Sequence, residues 1–144
     1  MLGLGALVLA AIFFGAAIYI NIAEHPARLK LGDGAALAQW EPAYKRGYAM
    51  QASLAIASGL LGLAAWWTSG QWLWGAGAAV MMANWPYTLV VIMPVNHQLE
   101  ATAPADASAE TRALLIRWGW LHAGRSALGG IAMIIFLDVI SMRM

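Results

Sequence analysis

The sequence predicts an all-α protein, an integral membrane four-helix bundle, and three observations predict it. Of the 144 residues, 62% are hydrophobic and only 10% are charged, against about 25% charged in an ordinary soluble domain. The mean hydropathy is +0.67. Most of the chain lies in long uncharged runs, 2–23 and 47–99, followed by a run from Trp118 to Leu137 that only His122 and Arg125 interrupt. A chain so poor in polar side chains cannot cover a soluble globule. Its length allows one transmembrane domain, residues 1–144.

The first helix is expected over 2–23. Its 22 uncharged residues make roughly 33 Å of helix, enough to cross a hydrocarbon core of about 30 Å. No basic residue precedes it and the apolar run exceeds that of a signal peptide, so it reads as a retained span. The 53 residues from Gly47 to Leu99 are too long for one span and fit two, broken at Thr68-Ser69-Gly70-Gln71. This gives helices over about 43–67 and 72–95. Trp66, Trp67, Trp72 and Trp74 bracket the turn, as expected where a hairpin meets lipid headgroups. The fourth helix is expected over about 110–139, capped by Asp106 or Ser108 with Glu110 behind, and anchored by Trp118 and Trp120.

Charge orients the four spans. Arg28, Lys30, Lys45 and Arg46 lie in loop 24–46, and Arg112 and Arg117 in loop 96–117, while Arg143 is alone on the other side. The positive-inside rule then puts both loops in the cytoplasm, of a bacterial inner membrane. The net charge of +1 leaves no footprint for nucleic acid. The absence of cysteine excludes disulfides, a thiol nucleophile and thiolate metal sites. Small residues allow close helix packing in lipid: Ala55, Ser58, Gly59 and Gly62; Gly75, Ala79 and Ala83; Ala123 and Ala127; Gly129-Gly130.

Polar groups gather at one end. His25, His97 and His122 all fall at the same membrane face. Asn21 and His25 share a helix face by their spacing of four, as do Tyr44, Tyr48 and Gln51, and Trp118, His122 and Arg125, by spacings of four and three. Arg125 either snorkels as an anchor or faces the bundle, held by Glu24 or a bound anion; sharing a face with His122 favours the second. Asn84 lies mid-span and should have a partner on another helix. Trp85-Pro86-Tyr87 marks a kink, and Asp138 sits near the outer interface. His25, His97 and His122 with Glu24 have the donor chemistry for Fe, Cu or Zn, although no local ligand spacing unites them. Haem, nucleotide and Walker signatures are absent.

Four patches carry a family resemblance: Glu24-His25-Pro26; Trp40-Glu41-Pro42-Ala43-Tyr44-Lys45-Arg46; Pro94-Val95-Asn96-His97-Gln98-Leu99; and Trp118 to Arg125, reading WGWLHAGR. In this order on four spans the chain resembles the anthrone oxygenase-like family of small four-helix membrane proteins. The resemblance implies an oxygenase that converts an anthrone to an anthraquinone with O2 and no flavin, haem or added metal. Its chemistry needs a base, an oxyanion stabiliser and an apolar slot. On that basis His122 or His25 is the base and Arg125 stabilises the enolate and peroxide. Asn96, Tyr48 and Gln51 orient substrate or oxygen, while Trp118, Trp85 and Tyr87 wall the slot.

The implied partners are a lipophilic polycyclic or phenolic molecule, O2 and membrane lipids, with a homo-oligomer left open. Two other classes fit the residues: a metal-dependent membrane redox protein using the histidines, and a non-enzymatic carrier or membrane-complex subunit.

Overall fold

A computed structural model describes residues 1–142, leaving Arg143, counted above in the charge balance, outside the described residues. Four helices are long and apolar enough to cross a membrane: α1 (Leu2–Arg28), α2 (Asp33–Ser69), α3 (Trp72–Glu100) and α4 (Ala109–Ser141). The chain is thus an all-α membrane protein. Each helix packs on its neighbour in the chain and α4 closes against α1, giving an antiparallel ring of four.

Every helix is extended at the polar end relative to the apolar runs, so loops 24–46 and 96–117 shrink to short connections. The largest difference is α2, which begins at Asp33 rather than near 43 and continues through Pro42. Proline removes the bond to the carbonyl four residues back. Here Ala38 and Pro42 are both exposed, so the freed carbonyl faces outward rather than into the core. At 37 residues the helix is about 55 Å long, well beyond a hydrocarbon core of about 30 Å. Hydropathy marks only the part that meets lipid, which is why the runs underestimate the helices.

Two helices contain a π turn, Ile20–Glu24 in α1 and Thr88–Ile92 in α3. Each is followed at once by a residue–proline pair, His25-Pro26 and Met93-Pro94. A proline cannot bond to the carbonyl four residues back and its ring crowds that carbonyl. Those carbonyls belong to Ile22 and Val90, both inside the widened turns, and His25 and Met93 bond five residues back, to Ile20 and Thr88. The kink expected at Trp85-Pro86-Tyr87 is instead an interruption at Ala83 followed by this π turn.

Two apolar clusters result. One joins Ala6, Phe13, Ala55, Met81, Ala132 and Phe136 near the termini. The other joins Leu37, Trp40, Ile92, Leu99, Leu115 and Trp118. Glycines set the close contacts in the first: a carbon added at Gly59 would lie 2.5 Å from Met82, at Gly77 2.5 Å from Phe136 and at Gly129 2.5 Å from Phe13. Ser58 Oγ donates to Ala6 O at 2.8 Å. Ala79 and Ala127, expected at helix contacts, are exposed. Of the four tryptophans at the hairpin, Trp66, Trp67 and Trp72 are exposed, but Trp74 is buried against Phe136 and beneath Gly3. Gly70 turns the hairpin with φ +68°, a conformation glycine adopts without strain.

At the opposite end Ser108 caps α4. Its hydroxyl accepts from Glu110 N at 3.3 Å, and Ser108 N donates in return to Thr111 Oγ1, rather than to Glu110, at 3.1 Å. Arg112 pins the α1–α2 connection, donating to Asp33, to Leu29 O at 2.7 Å and to Leu31 O at 2.5 Å.

Candidate active site

Between the two apolar clusters lies a layer of buried polar side chains. His25, Arg28, Gln51, Asn84, Asn96, His122, Arg125 and Ser126 are each at most 5% exposed. The spacing of four that put polar groups on shared helix faces aims these faces into the bundle.

In α1, Glu24, His25 and Arg28 fall on one face. Arg28 donates to Glu24, to Gln39 from α2, and to His25 Nδ1 at 3.0 Å. A guanidinium only donates, so His25 Nδ1 accepts and its ring proton sits on Nε2. That Nε2 is buried without a partner and rests over Gly119, where a side-chain carbon would come within 2.6 Å. Sequence reading counted Arg28 as a loop charge; helix α1 carries it inward because the helix runs on past Ala23.

In α4, His122 Nδ1 lies 3.0 Å from Asn21 Oδ1. The Asn21 amide is itself oriented, its Nδ2 donating to Gly119 O at 3.0 Å and its Oδ1 accepting from Ser126 Oγ at 2.7 Å. An amide oxygen only accepts, so His122 holds its proton on Nδ1 and leaves Nε2 as the lone-pair nitrogen. Asn21 and Ser126 were not singled out for this role; the spacing showed Asn21 beside His25, not its reach to α4.

Trp118 stands between the two histidines, with ring centroids 5.2 Å from His25 and 5.0 Å from His122. Its Nε1 donates to Asn96 Oδ1 at 2.9 Å. Asn96 is therefore engaged in holding the indole. Trp40 meets Trp118 edge-on and stacks on Tyr44 at 4.9 Å.

A cavity of about 20 Å³ between α1, α2 and α4 is lined by Tyr44, Tyr48, Gln51, Trp118, His122 and Arg125, with Glu24 and Arg28 at its edge. Ile20 and Gly47 also line it, and a carbon on Gly47 would lie 3.9 Å from Ile20 Cδ1. A smaller chamber of about 10 Å³ lies against Ala52, Asn84, Trp85 and Thr88 and shares Tyr48 and Arg125 with the first. On the outer side of the α1–α4 seam a groove of about 310 Å³ passes Asn21, His25, Gly119, Trp120 and Ala123.

Other sequence expectations fare differently. Glu24 is engaged by Arg28, not Arg125. Asn84 reaches only Met81 O in its own helix, at 3.1 Å, and its Oδ1 has no partner, so it is not interhelical glue. Tyr87 donates to Leu121 O at 2.9 Å and packs on Gly124, outside both cavities. His97 is exposed. Among the described residues no three His, Asp or Glu side chains come together to hold a metal, so His25, His97, His122 and Glu24 do not form one ligand set.

The family model for anthrone oxygenase matches residues 40–135, two thirds of the chain and three of the four resembling patches, with Glu24-His25-Pro26 outside it. No curated protein and no solved structure matches. The match spans most of α2, all of α3 and most of α4, which carry Tyr48, Gln51, Trp118, His122 and Arg125: the chain belongs to the anthrone oxygenase family.

Proposed function

We propose that the protein is a membrane-embedded, cofactor-independent oxygenase acting on an anthrone or a similar lipophilic polycyclic phenol. One observation carries the reading. His122 presents the lone pair of Nε2 on the ring that lines a buried cavity, one helical turn from Arg125, a cation without a carboxylate partner among the described residues.

The chemistry follows from the substrate. The central methylene of an anthrone is acidic because its conjugate base is an aromatic phenolate. His122 Nε2 takes that proton. The electron-rich anion passes one electron to O2, and the resulting radical and superoxide combine to a carbon-bound peroxide. Protonation by the imidazolium returns the base. Loss of water across the C–H and O–O bonds leaves the second carbonyl, so anthrone and O2 become anthraquinone and water. Arg125 stabilises the oxyanion and the peroxide, and Trp118 offers a flat wall. His25 is the less suited base, since its one lone-pair nitrogen already accepts from Arg28.

Pockets for molecules of this size run about 300–1,000 Å³, so the 20 Å³ cavity admits a tricycle only when Ile20 swings off Gly47. A second reading has its own observation. The outer groove of about 310 Å³ already has the volume and runs past His25, whose buried Nε2 proton would reach a substrate carbonyl once the ring moves off Gly119. Gly47→Leu should block the first arrangement and Ala123→Leu the second, each read as a loss of turnover. We further infer that the end of the bundle holding Lys30, Lys45, Arg46 and Arg117, all exposed, faces the cytoplasm.

The test is oxygen uptake by detergent-purified, chelator-treated protein given an anthrone, against a heat-denatured baseline because anthrones autoxidise. Uptake above the baseline with quinone formed is expected. No excess uptake contradicts the reading, and tight binding without conversion would mark a carrier.

A further inference from the structure

Arg125 is 5% exposed, within a helix that crosses the membrane. Its guanidinium enters none of the hydrogen bonds among the described residues, and its Nε is fully buried without a partner. Arg28 and Arg112, by contrast, each donate three. The guanidinium lies over the Phe13 ring at 5.6 Å, which offers a weak attraction rather than a counter-charge. The one carboxylate at the adjoining cavity, Glu24, is neutralised by Arg28. A lone cation held away from water is costly unless it is paired.

The unpartnered atoms around it are not random. Gln51 is 1% exposed and neither atom of its amide has a partner; Asn84 is 1% exposed and its Oδ1 has none. Gln51 lines the larger cavity and Asn84 the chamber, and Arg125 and Tyr48 line both. Buried orphan groups in native proteins mark an unseen water or ion. Waters alone would satisfy the amides but leave the charge on Arg125 uncompensated.

We propose that Arg125, Gln51 and Tyr48 hold a small monoanion in the resting protein, with Asn84 Oδ1 held by an accompanying water. Gln51 sets the anion in the larger cavity of about 20 Å³, which has room for about one or two waters and so limits the ligand to the size of chloride, azide or formate and rejects sulfate. The chamber of about 10 Å³ takes the water on Asn84. Superoxide falls in the same size and charge class, so under the oxygenase reading the same site receives the reduced oxygen. The anion site itself rests on burial and pairing, not on that reading.

Bromide is the probe, because it quenches indole on contact and Trp118 lines the larger cavity. Titration of the detergent-purified protein without substrate should give a saturable component of Trp quenching that azide and formate displace and sulfate does not. Arg125→Gln should weaken that component at least roughly 30-fold, and Gly47→Leu, which fills the larger cavity and keeps the charge, should weaken it too. Arg117→Gln, at an exposed cation, should leave it unchanged. Purely linear quenching in the wild type overturns the proposal, as does saturable quenching that survives both Arg125→Gln and Gly47→Leu. Because no turnover is involved, failure of the oxygen-uptake test leaves this result standing, and the reverse holds.

Discussion

Asn21 fixes the tautomer of His122 because its own amide is held at both ends, by Gly119 O and Ser126 Oγ. Asn21→Leu should therefore fold, keep KM near the wild-type value and lower kcat, since the lone pair is no longer held on Nε2; steady-state kinetics on an anthrone check it. Equal losses in both constants would point to a packing role instead. Gly119→Ala tests the neighbouring contact. Its added carbon would lie 2.5 Å from His25 Cδ2, against backbone-anchored groups on both sides, so the ring must move and the Arg28 bond must loosen. The expected result is a destabilised protein, seen as unfolding at lower denaturant than wild type. Spacing alone disclosed much at this scale: Tyr48, Gln51, Trp118, His122 and Arg125 came from intervals of three and four on helices. Arg28 did not, because a charge beyond an apolar run reads as loop. Nor did the His122–Asn21 bond, which joins residues 101 apart in the chain.

The π turns place an extra residue in α1 and α3 within the polar layer, and the proline after each makes the ordinary α-helical bond unavailable there. Pro94→Ala restores a donor to the backbone and lets the turn relax toward α geometry. Closing it would rotate the residues beyond by about 100° and carry Asn96 away from Trp118. A red shift of Trp fluorescence with retained helicity is the expected signature; an unchanged spectrum would mean the proline does not maintain the π turn. Arg112 makes its contribution at the same scale, since it ties α4 to the α1–α2 connection by three bonds. Arg112→Ala should cost about 2 kcal/mol, as bonds to charged groups do, measured by denaturant unfolding in detergent. The four helices were legible because lipid demands apolar runs of about 20 residues. Their ends were not, since Asp33 to Arg46 continues α2 with a polar composition that hydropathy assigns to a loop.

Across the whole molecule, one apolar cluster near the termini and another built on Trp40, Leu99 and Trp118 enclose the polar layer. This arrangement leaves His122 and Arg125 at most 5% exposed, and the long α2 contributes Leu37 and Trp40 to the second cluster from beyond its apolar run. Hydropathy could foresee the first cluster; the second depends on aromatic residues from α2 and α4 meeting across the bundle, which no run announces. The central claim is that His122 removes a proton from a carbon acid before oxygen enters the reaction. Solvent deuterium exchange into the central methylene of an anthrone, followed by NMR under argon with chelator-treated protein, isolates that step. Wild-type protein should accelerate exchange above the denatured baseline, while His122→Ala should not and His25→Ala should retain part of the acceleration. Exchange at the baseline rate in the wild type, or equal acceleration in His122→Ala, would contradict the account.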